Sequence, residues 1–228
     1  MRIIKLSLEI AICVLFISCS KDDIQLIYSS PYHKASIKTV NGPRVFSSNG
    51  EIGNQSVIRR LVINDTSLFS SMVNGLMNNL GILDTITFID PQQAVLHHSF
   101  YNRHCRVSNK LGHFLLTSND TTTGYTSNDA LSQKVGYHIG QIKPDILTEF
   151  VYSSTAGIYN FGYTAKEKHM FAKKGNKVSA PIILYVQHRN SDFYESGYTN
   201  NILDEDFYKQ LSPGDTLLLR EFFVLYEK

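Results

Sequence analysis

Residues 216–226 read Thr-Leu-Leu-Leu-Arg-Glu-Phe-Phe-Val-Leu-Tyr. Laid out as a strand, Leu217, Leu219, Phe223 and Leu225 face one way, and Leu218, Arg220, Phe222, Val224 and Tyr226 face the other. A strand apolar on both faces belongs in the middle of a sheet, because an edge or one-sided strand keeps a polar face for water. A central strand this late in the sequence requires most of the chain to fold around it. That argues against a detachable C-terminal domain.

The rest of the chain supplies the partners. Strand texture, with turns between, is expected at 36–40, 44–47, 85–90, 94–100, 102–107, 113–118, 146–153, 158–164, 169–173 and 180–188. Residues 119–133 are rich in Thr, Ser, Asn and Gly, show no period and read as an exposed loop. Two helices are expected after Asn54, which can cap the first. Asn64, Asp65, Thr66 and Ser67 read as a break between them. The second would carry Leu68, Phe69, Met72, Val73, Leu76, Met77 and Leu80 as one stripe, stopped by Gly81. A short third helix would start at Asn201 and bear Leu203, Phe207 and Leu211. Many short strands with turn signals point to a mainly β fold. It is expected as an antiparallel, lipocalin-like barrel or, in the alternative, a β-sandwich, with two or three short helices.

The N-terminus gives an address. Met1 to Lys5 is basic, residues 10–17 are apolar, and Ser18-Cys19 follows. The apolar run is shorter than the about 20 residues a spanning helix needs, and its layout is that of a secretory signal. Leu15-Phe16-Ile17-Ser18-Cys19 resembles the lipobox of bacterial lipoproteins, and Ser20-Lys21-Asp22-Asp23 resembles the acidic export tag of surface lipoproteins of the Bacteroidota. The chain thus resembles an uncharacterised family of such lipoproteins. The resemblance implies cleavage before Cys19 and acylation of Cys19, with chains such as palmitate. It implies an outer-membrane location, lipid-anchored and facing the cell exterior. The expected layout is a signal peptide at 1–18, a lipidated cysteine and tether at 19–34, and one β-rich domain at 35–228.

Loss of residues 1–18 removes Arg2, Lys5 and Glu9. Lys plus Arg falls from 22 to 20 and Asp plus Glu from 20 to 19, leaving a charge near +1. A balance so close to neutral gives no electrostatic case for nucleic acid. Cys13 leaves with the signal and Cys19 is committed to lipid, so Cys105 is left alone and is expected to be buried.

Candidate chemistry is sparse. His97, His98, His104, Cys105 and His113 are the densest reactive cluster, and thiolate and imidazole suit zinc. Strand neighbours point to opposite faces, so at most one of His97 and His98 and one of His104 and Cys105 can share a face. His98, Cys105 and His113 are the metal candidates. Their spacing matches no metal motif, so neither metal nor cofactor is expected. A Cys105–His113 nucleophilic pair lacks any oxyanion element. No nucleophile elbow, P-loop or dinucleotide fingerprint occurs. Asp204, Glu205 and Asp206 are explained by the dipole of the expected helix start. Asp84-Thr85-Ile86, Asp120-Thr121-Thr122 and Asp215-Thr216-Leu217 resemble the O-glycosylation motif of exported Bacteroidota proteins, marking Thr85, Thr121 and Thr216.

Trp is absent, whereas Tyr and Phe number 13 each. Glycan sites favour Trp, which counts against a sugar ligand, although Tyr can stack as well. The expected role is accessory binding or structural, toward a small ligand, a glycan or a partner protein, with the membrane contacted through the lipid anchor. The alternative is a cell-surface hydrolase with a site that no motif reveals.

Overall fold

The computed structural model describes residues 28–77, 85–98, 101–127, 135–153, 159–174, 177–190 and 192–228. Among the described residues, twelve strands follow one another. They are β1 (Pro31–Thr39), β2 (Arg44–Ser47), β3 (Gly50–Glu51), β4 (Thr85–Asp90), β5 (Gln93–His97) and β6 (Asn102–Lys110), then β7 (His113–Ser127), β8 (Asp145–Ser153), β9 (Tyr159–Lys174), β10 (Lys177–Arg189), β11 (Asp192–Thr199) and β12 (Asp215–Glu227). One α-helix, α1 (Gln55–Met77), separates β3 from β4.

Eight antiparallel strands close into a barrel in the order β1-β4-β5-β6-β7-β9-β10-β12, with β12 returning to β1. Closure removes the unpaired edges that an open sheet leaves. The barrel, not the sandwich, is therefore the architecture. The remaining strands are attachments: β2 and β3 extend from β12, β8 lies on β9, and β11 lies on β10.

Alternation sorts the side chains. Val178, Ala180, Ile182 and Leu184 of β10, with Leu218, Phe222, Val224 and Tyr226 of β12, enter the main core inside the barrel. There Tyr226 meets Phe171 edge-on at 6.1 Å, and Tyr32 meets Phe88 at 6.0 Å. Their neighbours Ile183, Tyr185, Leu217 and Leu219 face outward into a second core, under Val135, Ile139, Leu203, Phe207 and Leu211. Both faces of β12 are thus buried over Leu217, Leu218 and Leu219, whereas Phe223 and Leu225 further along are half-buried.

The helix departs from expectation. Asn54 does cap it, its Oδ1 accepting from the backbone N–H of Ser56 at 3.0 Å and of Val57 at 3.4 Å. The expected break at residues 64–67 does not occur, and a single helix runs through to Met77. That stretch holds neither Gly nor Pro, and its residues each cost well under about 1 kcal/mol in a helix interior. Ile58, Leu61 and Val62 pack against the barrel core.

Two more corrections concern polar sequence. Most of the stretch expected to be a loop at 119–133 continues β7 as far as Ser127, paired with β9 from Thr121↔Lys166 to Ser127↔Asn160. Backbone ladders need no apolar side chains, and the threonines suit a strand on their own. Residues 158–164 and 169–173, expected as two strands, are one long β9, and β11 is not among the expected strands. No helix begins at Asn201. A 3-10 turn at Phe207–Gln210 serves instead, and it places Phe207 4.8 Å from Phe46. β1 begins at Pro31, within the segment read as tether, and Tyr32 is fully buried. Cys19 lies outside the described residues.

Candidate functional site

The barrel wall has a gap. β9 and β10 pair only over Ala172–Lys174 and Lys177–Ser179, after which they diverge. β11 takes up the freed edge of β10 from Ile183 to Arg189. Between β9 and β11 lies a cleft of about 580 Å³, within the size range of ligand pockets. At its closed end the Asn200 side chain accepts a hydrogen bond from the Met170 N–H and ties the two walls together.

The β9 wall carries Tyr163, Lys166, Glu167, Lys168 and His169; the β11 wall carries Tyr198; and Asn200, Tyr137, Tyr185, His98 and Tyr101 are also among the lining residues. Glu167 is aimed by a local irregularity in β7. The register breaks between Thr117 and Thr121, opposite Glu167. Within this bulge Ser118 Oγ donates to the Asp120 carbonyl at 2.7 Å and accepts from the Glu167 N–H at 2.9 Å. Bulges of this kind re-aim side chains beside functional sites.

Glu167 forms an ion pair with Arg103 and lies 3.3 Å from His169 Nε2. Burial alone would raise its pKa. The hydrogen bond and charge of His169 and the charge of Arg103 outweigh burial and bring the carboxyl down to about 2. It is therefore an anchored anion. Arg103 also stands 5.2 Å over the Tyr101 ring, which stacks on His98 at 4.4 Å. Tyr101 and Tyr198 remain 48% and 42% exposed at the mouth. Tyr137 and Tyr163 meet edge-on at 5.7 Å and share a hydroxyl hydrogen bond.

The structure scatters most of the residues singled out from sequence. Of the metal candidates, only His98 lines the cleft. Cys105 sits in the barrel core opposite Ser118, whereas His113 is opposite Lys110 and bonds the Leu111 carbonyl at 2.8 Å. Five ladder positions at about 3.3 Å each separate them, roughly 17 Å, so they cannot act as a pair. His97 holds Thr87 at 3.1 Å and Asn102 at 2.9 Å, and His104 is exposed. Among the described residues, no three His, Cys, Asp or Glu side chains converge to hold a metal ion.

Asp204, Glu205 and Asp206 open no α-helix; they lead into the 3-10 turn Phe207–Gln210, where Asp206 holds the N-cap position without a side-chain capping bond. Each answers a cation: Lys143 at 2.8 Å, Arg44 at 2.9 Å and Lys209 at 2.7 Å. Thr121 is exposed but lies in β7, not in a loop; Thr85 and Thr216 are half-buried at the starts of β4 and β12.

Burial pushes the Cys105 thiol up to about 12. Iodoacetamide at pH 8 is therefore expected to leave Cys105 unmodified in the native protein and to alkylate it in urea, as intact mass would show. Prompt native labelling would mean that the core opens readily.

Fold and cleft together define a closed eight-stranded antiparallel barrel with a tyrosine-lined, charge-anchored side pocket. Set against protein-family models, curated proteins and solved structures, the chain has no match. Among the described residues, no helix is long and apolar enough to cross a membrane.

Proposed function

We propose that this chain is an outer-membrane lipoprotein, anchored through Cys19 and facing the cell exterior, whose barrel binds a glycan in the cleft between β9 and β11. The observation that carries the binding role is the cleft itself. It combines partly exposed tyrosine rings with fixed hydrogen-bonding groups in one concave site, and that combination suits a sugar ring, which is apolar on its faces and polar at its edge. The anchor rests on the lipobox-like and acidic residues 15–23.

Hydrolysis is the weaker reading. Glu167 is the one carboxylate among the described lining residues. Its ionised form is held by Arg103 and His169, which suits orienting a ligand better than exchanging protons. Glycoside cleavage uses two carboxylates across the bond.

The test uses residues 20–228 titrated with neutral malto-, cello-, xylo- and manno-hexaoses. With no Trp in the chain, tyrosine emission reports binding directly. One of these probes is expected to bind, and Tyr198→Ala to weaken it about tenfold, the loss of one ring contact. Binding of a probe unaffected by Tyr198→Ala would place the site elsewhere, and failure of every hexaose to bind would refute the glycan reading.

A further inference from the structure

At one end of the second core the outward face of the barrel turns polar. Alternation along β10 and β12 puts Gln187, Arg189 and Asp215 on the same side as Ile183, Tyr185 and Leu217, and the ladder sets Arg189 opposite Asp215. Gln187 is 2% exposed and Asp215 3%. The turn before β12 is pinned there, since the Asp215 N–H donates to the Ser212 carbonyl at 3.0 Å. Gln187, Arg189 and Asp215 line a cavity of about 410 Å³, whose rim at Asn190, Gln210 and Ser212 is exposed. No residue lines both this cavity and the cleft between β9 and β11.

Its hydrogen bonding is incomplete. Gln187 Nε2 donates to Asp215 Oδ2 at 3.0 Å. A carboxylate only accepts, so that bond fixes which end of the Gln187 amide is nitrogen and leaves Oε1 as an acceptor. Gln187 Oε1 and Asp215 Oδ1 are both buried, and neither accepts a hydrogen bond. Arg189 approaches Oδ1, but its Nε stops 3.9 Å away, beyond donor distance. A cation is thus drawn to this oxygen without reaching it. Buried acceptors left open are costly and are rarely kept without a partner that completes them.

The two atoms specify that partner. Both accept, so it must donate. One belongs to a carboxylate, and a charged donor makes bonds roughly twice as strong as a neutral one. A hard metal ion such as calcium takes about 6–8 oxygens, more than these two residues offer, and Arg189 stands alongside. An ammonium group brings three donors and no acceptor, and the cavity is of a size that holds a small organic molecule. We infer that this cavity is a binding site for a small organic primary amine, whose ammonium donates to Asp215 Oδ1 and Gln187 Oε1.

The deciding experiment is calorimetric titration of the full chain with glucosamine, putrescine and ethanolamine, each against its fully N-acetylated form. At least one amine is expected to bind, and its acetylated form to bind at least tenfold more weakly; which amine binds separates an amino sugar, a polyamine and a lipid headgroup as the source. Asp215→Asn keeps the shape, still accepts from Gln187 through its amide oxygen, and sets an NH2 where the ammonium must sit. It is expected to cost at least tenfold in affinity. Arg189→Met removes the competing cation and is expected to bind the amine as tightly as wild type or more tightly. Tyr198→Ala, in the cleft, is expected to change nothing. Equal binding of the acetylated form, unchanged binding by a folded Asp215→Asn, or tenfold loss in Arg189→Met or Tyr198→Ala would each overturn the inference. So would failure of every amine to bind, which would leave the two oxygens to water. Should Asp215→Asn not melt cooperatively, the acetylation comparison and Arg189→Met decide.

Discussion

Asn201→Ala is expected to lower the stability of the fold by about 3 kcal/mol, roughly half the lower bound for a domain of ordinary stability. Asn201 is buried, and both ends of its amide are used. Oδ1 accepts from the N–H of Ile142 at 3.1 Å and of Ile202 at 3.0 Å, and Nδ2 donates to the Ile142 carbonyl at 2.7 Å. Around this hub the cover segment at 139–142 zips to residues 202–204 through Gln141 N–H to Ile202 and Asp204 N–H to Ile139, both at 2.9 Å. Gly140 is part of the arrangement, because a Cβ there would overlap the Asn201 amide. Alanine would strand three backbone groups, two of them in buried hydrogen bonds, at about 1–3 kcal/mol each before relaxation. Asn201→Asp keeps the acceptor and loses the donor, and is expected to fall between. Urea unfolding checks the series. A loss under 1 kcal/mol for Asn201→Ala would mean that water takes over the amide's role and that the cover is looser than its hydrogen bonds imply.

Acid is expected to weaken the wild-type protein in a way that Glu167→Gln is not. The folded carboxyl of Glu167 is depressed from 4.5 to about 2. A depressed folded pKa contributes stability that is complete above the unfolded value and is lost as pH falls through the folded value. The window is therefore pH 4.5 down to 2. The side chain is 32% exposed, so solvent screening reduces the contribution to on the order of 2 kcal/mol. Denaturation midpoints at pH 5 and pH 2.5 should diverge less in Glu167→Gln than in wild type by that amount. Parallel losses in the two proteins would show that Arg103 and His169 do not favour the ionised form. The same comparison in Arg103→Met would show how much of the clamp belongs to the guanidinium.

Much of this architecture was legible in local pattern, and the site was not. The two apolar faces of residues 216–226 announced a central strand, and β12 is paired on both edges and buried on both faces at Leu217, Leu218 and Leu219. The helix cap at Asn54 and the burial of Cys105 were likewise readable, because each depends on neighbours a few residues away or on a residue type with a strong preference. Polarity misled over 119–127. A strand that continues past the core needs only its backbone ladder, so the threonines there lost the apolar alternation while keeping the pairing. Residues 64–67 misled in the opposite sense, as turn-forming side chains overridden by a helix that continued across them. The cleft assembles Tyr101, Tyr137, Tyr163, Tyr185 and Tyr198 from five separate parts of the chain. Nothing links them until β9 and β10 part company, which is a property of tertiary pairing. The one available hint was compositional: a chain with 13 tyrosines and no tryptophan. Arg103, Glu167 and His169 gave no signal at all, since ordinary charged residues on a strand look the same whether they face solvent or a bulge.

The position of β12 has a consequence for how such a barrel comes into being. It seals the wall by pairing with β10 on one side and with β1 and β2 on the other. Every strand it joins lies upstream. A growing or threading chain can assemble the β4 to β7 meander early, but β1 and β10 keep bare edges until residues 215–227 arrive. Shutting the barrel then demands contacts spanning nearly two hundred residues, among the slowest kind to form. A polypeptide of this design stays pliable until residues 215–227 have paired, so the closing strand, not the meander, sets the moment at which the barrel becomes rigid.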